Sequence, residues 1–198
     1  RHLNAIVITS VIAAVTTQTL VGEEQILTSP SHELDDPAQL VLYAVLALVA
    51  VLFGVLFLRV LAVTSGFHLD DRLPRWLLPI GAGLGVAAIG LVEPDALGTG
   101  QEFLSDLLAT TSASELIWWS LFLLAITKIL TTSLTRAGGG SVGTFMAALF
   151  IGGSAGAGFA TLVDPIWTLS EIDPGAFAVV GMAATFAAVA RAPLTSVI

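Results

Sequence analysis

A single run of apolar residues, Ala38 to Val63, limits what this chain can fold into more than any other stretch, and only Gln39, Tyr43, Gly54 and Arg59 interrupt it. It is longer than the ~20 residues that a helix needs to cross the hydrocarbon core of a bilayer. Arg59, near its end, can carry its charge out to the headgroups along its own aliphatic stem. Further apolar runs occupy Leu3 to Val21, Trp76 to Val92, Glu115 to Thr135, Thr144 to Val163 and Ala176 to Ala190. Alternating patterns of the outer-membrane barrel type are absent. With 56% hydrophobic and 11% charged residues, the chain reads as all-α, a polytopic membrane helix bundle.

The same composition excludes several functions. There is no cysteine, so disulfides and thiolate metal sites are ruled out. His2, His32 and His68 make no ligand pair at helical spacing, and neither a metal nor an organic cofactor is expected. The formal net charge of −8 is carried mainly between the apolar runs, as in Glu33-Leu34-Asp35-Asp36, Asp70-Asp71 and Glu93-Pro94-Asp95. Nucleic acid is not a partner for such a surface. No His or carboxylate cluster lies inside the apolar runs to supply an acid/base pair or a metal, so the chain is not expected to be an enzyme. It begins at Arg1 and stops at Ile198 inside an apolar run, and the expectation is an internal piece of a longer protein. The first run leads into Glu23-Glu24 with no clear small-residue cleavage pattern, which argues against a signal peptide.

Along the chain, the paired carboxylates Glu23 and Glu24 are either solvated after a membrane helix or mark the mouth of an aqueous proton route. Pro74 and Trp76 open the third apolar run with a proline at a starting position and an interfacial aromatic. Gly81 and Gly85, four apart, place two small residues on one face for close packing. Gln101 to Ala109 is a helix too short to cross a bilayer, with Glu102 and Asp106 on one side. Ser112 or Ser114 is expected to cap the next helix, which carries Trp118 and Trp119 near its start.

The chemistry concentrates between Lys128 and Val163. An ammonium deep in a membrane helix costs a few kcal/mol, so Lys128 should face protein, water or the carbonyl end of another helix. It either bonds backbone carbonyls or coordinates an anion. The glycine-rich turn Gly138-Gly139-Gly140-Ser141-Val142-Gly143 then leads into an apolar helix. The first amides of that helix, at Gly143, Thr144 and Phe145, have no intrahelical acceptor. The helix dipole adds roughly half a positive charge at the same end, which makes an anion site without a cationic side chain. The alternative is a bend that merely lets two helices pack closely. Gly152, Gly153, Gly156 and Gly158 fall in mid-helix, and Arg191-Ala192-Pro193 breaks the last run. Two consecutive glycine-hinged or broken segments point to a transport site built from helix ends near mid-membrane.

These residues resemble a known family. TKILTTSLTRAGGGSVGTFMAALFIGG is similar to the segment of the CLC chloride channels and proton/chloride antiporters that reads K-x-x-x-T, then G-S-G-x-x-G-G-x-F-x-P-x-L-x-x-G. Lys128, Thr132, Gly139, Gly143, Phe145, Leu149 and Gly152 fall on that pattern. Gly181-Met182-Ala183-Ala184 and Arg191-Ala192-Pro193-Leu194-Thr195 resemble the family's later helix pair, and Leu97-Gly98-Thr99-Gly100 resembles its G-x-G turn before a short helix. Val142 and Ala147 depart from the pattern, standing where the family has a glycine and a proline.

The resemblance implies a partial CLC-like inverted-repeat fold with tilted and partly spanning helices. Residues 1–198 would form part of one transmembrane transport domain, the end of the first repeat and most of the second. It implies chloride transport by channel or proton-coupled antiport, with the amides at Gly143, Thr144 and Phe145 contributing to the anion site. It further implies a homodimer in a lipid bilayer, of a prokaryotic cell, with chloride and possibly protons as transported partners. Proton relay would fall to Glu24, with Glu23 the alternative. Two earlier loops and the last helix, which complete the family's anion site, lie outside these residues. A different reading is a non-transporting membrane scaffold of the same fold, which Val142 and Ala147 would favour.

Overall fold

The computed structural model describes residues 3–21, 37–66, 76–110, 116–167 and 172–190. Among them lie seven α-helices, one 3-10 turn at Pro94–Ala96 and no strand. The helices are α1 (Leu3–Val21), α2 (Gln39–Ser65), α3 (Leu77–Val92), α4 (Gln101–Ala109), α5 (Trp118–Ala137), α6 (Thr144–Val163) and α7 (Pro174–Ala190). Of these, α2, α5 and α6 are long and apolar enough to cross a membrane. The fold is an all-α membrane helix bundle.

Several hydroxyls on the apolar helices bond their own backbones, although the buried Ser133 Oγ and Ser154 Oγ have no partner among the described residues. Thr16 Oγ1 donates to Ile12 O at 2.7 Å, Thr64 Oγ1 to Val60 O at 2.9 Å and Thr161 Oγ1 to Ala157 O at 2.8 Å. The side chains of α1 from Val7 to Leu20 are exposed throughout. By contrast α6 is buried without a break from Phe150 to Ala160, so the core sits around α6.

Three packing seams hold α6 in place. Its glycines meet α7: a Cβ at Gly156 would reach within 3.0 Å of Ala178 Cα, and one at Gly152 within 2.8 Å of Met182 Cα. Only glycine permits so close a backbone approach. Phe57, Ala125, Ile129, Ala147 and Ile151 form a second seam between α2, α5 and α6. A third cluster joins Leu104, Leu107 and Leu108 of α4 to Leu121, Leu124 and Phe150. The buried stripe Leu46, Ala50, Gly54 and Phe57 of α2 follows the three-to-four spacing of one helix face, and Thr185 Oγ1 of α7 donates to Ala50 O at 3.2 Å.

Several expectations need correction. α6 runs unbroken from Thr144 to Val163, so its four central glycines are packing contacts and not a hinge. α5 starts at Trp118 after an extended Ile117, with no side-chain cap; Ser112 and Ser114 lie outside the described residues. Of the pair on α3, Gly85 packs, with Leu134 Cδ1 at 3.3 Å from where its Cβ would be, whereas nothing lies within 4 Å at Gly81. α3 has no buried residue. α7 begins at Pro174, its first turn capped by Asp173 Oδ1, which accepts from the amides of Gly175 at 2.9 Å and Ala176 at 3.4 Å. The carboxylates Glu23 and Glu24, Pro74 and the Arg191-Ala192-Pro193-Leu194-Thr195 motif lie outside the described residues.

Candidate anion site

The glycine turn divides into two parts with different work. Gly140 N donates to Thr135 O at 2.9 Å and Gly139 N to Arg136 O at 3.0 Å, while Gly139 takes φ 85°. This pair of bonds around a left-handed residue is a Schellman closure, and it ends α5. The chain then extends through Ser141 and Val142 to Gly143, at φ −77° and ψ 125°, and α6 starts with no side-chain cap. Its first-turn amides are therefore left for another acceptor.

The N-terminus of α6 borders a cavity of about 440 Å³, lined on this side by Ser141, Val142, Gly143, Phe145 and Met146. Thr144 is not among the residues that line it. Opposite stand Lys128, Thr131, Thr132 and Thr135 of α5, whose spacing of three and four puts them on one helix face. The third wall is the turn Ala96 to Thr99. Lys128 is the one charged residue in that lining, and no carboxylate is there. Asp95 and Glu102 line a neighbouring hollow of about 310 Å³ that shares Leu97 and Thr99.

Lys128 is buried, 3% exposed, and its ammonium is held by backbone. Nζ donates to Gly98 O at 2.8 Å and to Ala96 O at 3.1 Å. It also lies 4.5 Å from the centroid of the Phe150 ring, a cation–π distance. Of the two roles open to it in the sequence, bonding carbonyls is the one its contacts display. In doing so it ties α5 to the loop before α4 and to α6. Gly98 and Gly100 take φ 59° and 72°, and a Cβ at Gly100 would run into the Phe150 ring.

Gly143 and Phe145 thus reach the cavity wall. Phe145 is 53% exposed and packs edge-on against Phe186, centroids 5.0 Å apart. Thr131 and Thr135 join the same wall at i+3 and i+7 from Lys128, a spacing visible in the sequence. Thr131 Oγ1 donates to Lys128 O at 3.2 Å and Thr135 Oγ1 to Thr131 O at 2.8 Å. Among the described residues no group of three or more His, Cys, Asp or Glu could hold a metal ion.

An apolar helix bundle with a buried ammonium and an uncapped helix N-terminus beside one cavity is the build of a polytopic membrane protein. The chain belongs to the voltage gated chloride channel family, whose model matches residues 1–198. It is 33% identical over 204 residues to the chloride channel protein CLC-f of Arabidopsis thaliana, covering 98% of this chain and 26% of that protein. It is also 28% identical over 202 residues to the H+/Cl− exchange transporter ClcA of Vibrio parahaemolyticus, covering 99% of this chain and 42% of that protein. The chain spans less than half the length of these relatives. It is an integral membrane protein of the CLC family.

Proposed function

We propose that the protein containing this chain moves chloride across a membrane, and that the first-turn amides of α6, at Gly143, Thr144 and Phe145, form one wall of its anion site. The observation that carries this is the uncapped N-terminus of α6 facing a cavity that holds a lysine and no carboxylate. Dipole and ammonium then act with the same sign on whatever occupies it. Amide donors bind a chloride without the strong pairing that a free cationic side chain would impose, so the ion can leave again. The relatives' names, a chloride channel and an H+/Cl− exchange transporter, agree with this.

The test uses Thr144→Pro in the full-length protein. Gly143 already has the extended conformation that a residue before proline adopts, and proline is at home in the first helical position. The variant should therefore fold, but with one amide removed from the site. Chloride efflux from liposomes is expected to fall at least several-fold with the melting temperature kept; undiminished efflux would remove the Thr144 amide from the pathway.

In an antiporter, protons would pass through Glu24, or alternatively Glu23. Glu24→Gln should then uncouple proton from chloride movement while chloride flux persists, and unchanged coupling would exclude it. The protein would work as a homodimer, with the exposed apolar length of α1 available to a partner. One observation favours a second reading, a scaffold that does not transport: Val142 puts a branched side chain in the cavity wall. Absence of any chloride efflux from the full-length protein would select it.

A further inference from the structure

Beside the α3–α5 seam lies a third hollow of about 360 Å³, lined by Thr64 of α2, Leu77, Leu78, Gly81 and Ala82 of α3, and Leu134 and Ala137 of α5. Its wall is apolar, and at Gly81 an added Cβ would meet nothing within 4 Å. One end carries a cation. Arg136, next in sequence to Ala137, is exposed, and its Nε donates to Ser65 Oγ at 2.9 Å. Ser65 Oγ in turn donates to Leu61 O at 2.6 Å, which leaves its lone pairs to the arginine and fixes the direction of the guanidinium. Among the described residues Arg136 makes no ion pair, so its terminal N–H groups are available to an anion.

Depth identifies that anion. α5 has 20 residues, about 30 Å at the rise of a helix and so about one hydrocarbon thickness. Trp118 and Trp119 stand at its start and Arg136 in its last turn. Arg136 therefore lies at the headgroup level of the opposite face. Trp76, 61% exposed, precedes the first residues of α3 that line the groove, and tryptophan with arginine at one depth is an interfacial pattern. A guanidinium above an apolar slot matches a phosphate above an acyl chain, and its fork binds phosphate oxygens in pairs.

We propose that this groove is a site for an anionic phospholipid, with one acyl chain along Gly81 and Leu134 and the phosphate on Arg136. The lipid would press on the seam that seats the glycine turn, because Gly138 rests against α3, with Ala82 Cβ at 2.7 Å and Pro79 Cα at 3.4 Å from where its own Cβ would be. This inference rests on the membrane fold and stands apart from the chloride reading.

The test follows a reporter in the groove. This chain has no cysteine, so Gly81→Cys in the full-length protein, in a background without other cysteines, places one thiol there without a clash. In delipidated detergent solution the thiol should react readily with a small maleimide. Dioleoyl phosphatidylglycerol should slow that reaction about tenfold, equivalent to ~1.4 kcal/mol, with dioleoyl phosphatidylcholine weaker and inorganic phosphate inert. Arg136→Ala should abolish the difference between the two lipids. Equal labelling with and without phosphatidylglycerol would overturn the proposal. So would a thiol already protected in delipidated protein, which would mean that another segment of the chain or a second copy fills the groove. Protection that survives Arg136→Ala unchanged would also overturn it, because the phosphate contact would be absent.

Discussion

Lys128 Nζ stands 2.8 Å from the carbonyl oxygen of Gly98, thirty residues earlier in the chain. With the bond to Ala96 O, this places a positive charge against the carbonyls of a turn that borders the cavity at the N-terminus of α6. A hydrogen bond to a charged group contributes about 1.5–3 kcal/mol, and an orphaned buried carbonyl costs a further desolvation penalty. Lys128→Met keeps the apolar length but removes both bonds, so it should destabilise the protein by about 3 kcal/mol or more. Lys128→Arg keeps the charge and two donors and should recover part of that loss, short of all because a planar guanidinium replaces a compact ammonium over Phe150. Thermal unfolding in detergent measures both; a Lys128→Met protein as stable as the parent would show that the bonds carry no net weight.

The two glycines of the same turn separate conformation from space. Both are left-handed, but a Cβ at Gly98 meets nothing within 4 Å, whereas at Gly100 it meets the Phe150 ring. Gly98→Ala should cost only the conformational part, about 1–2 kcal/mol. Gly100→Ala should cost that plus overpacking of another 1–3 kcal/mol or so. Adding Phe150→Leu should return part of the second loss and none of the first. Equal melting temperatures for the two alanine variants would contradict this assignment.

Much of the helical layout was legible because it depends on local pattern. Leu3–Val21, Gln101–Ala109 and Thr144–Val163 have the bounds that hydrophobic runs and their punctuation indicate. The lysine's burden was legible too, since an ammonium in an apolar helix must find partners. Which partners it finds was not, because Ala96 and Gly98 are brought to it by tertiary folding alone. The glycines misled for the same reason. Whether Gly81 faces a helix or an empty groove, and whether Gly152 marks a hinge or a contact, depends on what lies across from it. The three consecutive glycines carried a further ambiguity. The turn ends one helix before it starts the next, and only the bonds of Gly139 and Gly140 show that these residues close α5.

That division of the turn predicts different tolerances within it. Gly139 is at φ 85°, and Gly139→Ala should cost about 1–2 kcal/mol for a left-handed alanine. Gly143 is extended, with nothing within 4 Å of an added Cβ. Gly143→Ala should therefore change stability by less than about 0.5 kcal/mol. Chemical denaturation of the two variants distinguishes them. A large loss at Gly143 would mean that the residue is needed for its backbone freedom after all.

The seam between α6 and α7 should be the least forgiving part of the bundle. At Gly152 and Gly156 an added methyl meets the backbone of α7, Gly181 and Phe177 respectively, and backbone cannot swing aside as a side chain can. Relief requires the helices to separate, which opens voids along the buried length of α6 as well. Gly156→Ala should cost about 3 kcal/mol or more, at the upper end for overpacking. Gly158→Ala is the control on the same helix. Its nearest neighbours, Leu121 Cβ and Trp118 O on α5, lie at 3.3 Å, so a shift of a few tenths of an ångström suffices and the cost should stay near 1 kcal/mol. Melting curves in one detergent rank the pair, and a Gly158→Ala loss as large as that of Gly156→Ala would move the tightest seam from α7 to α5.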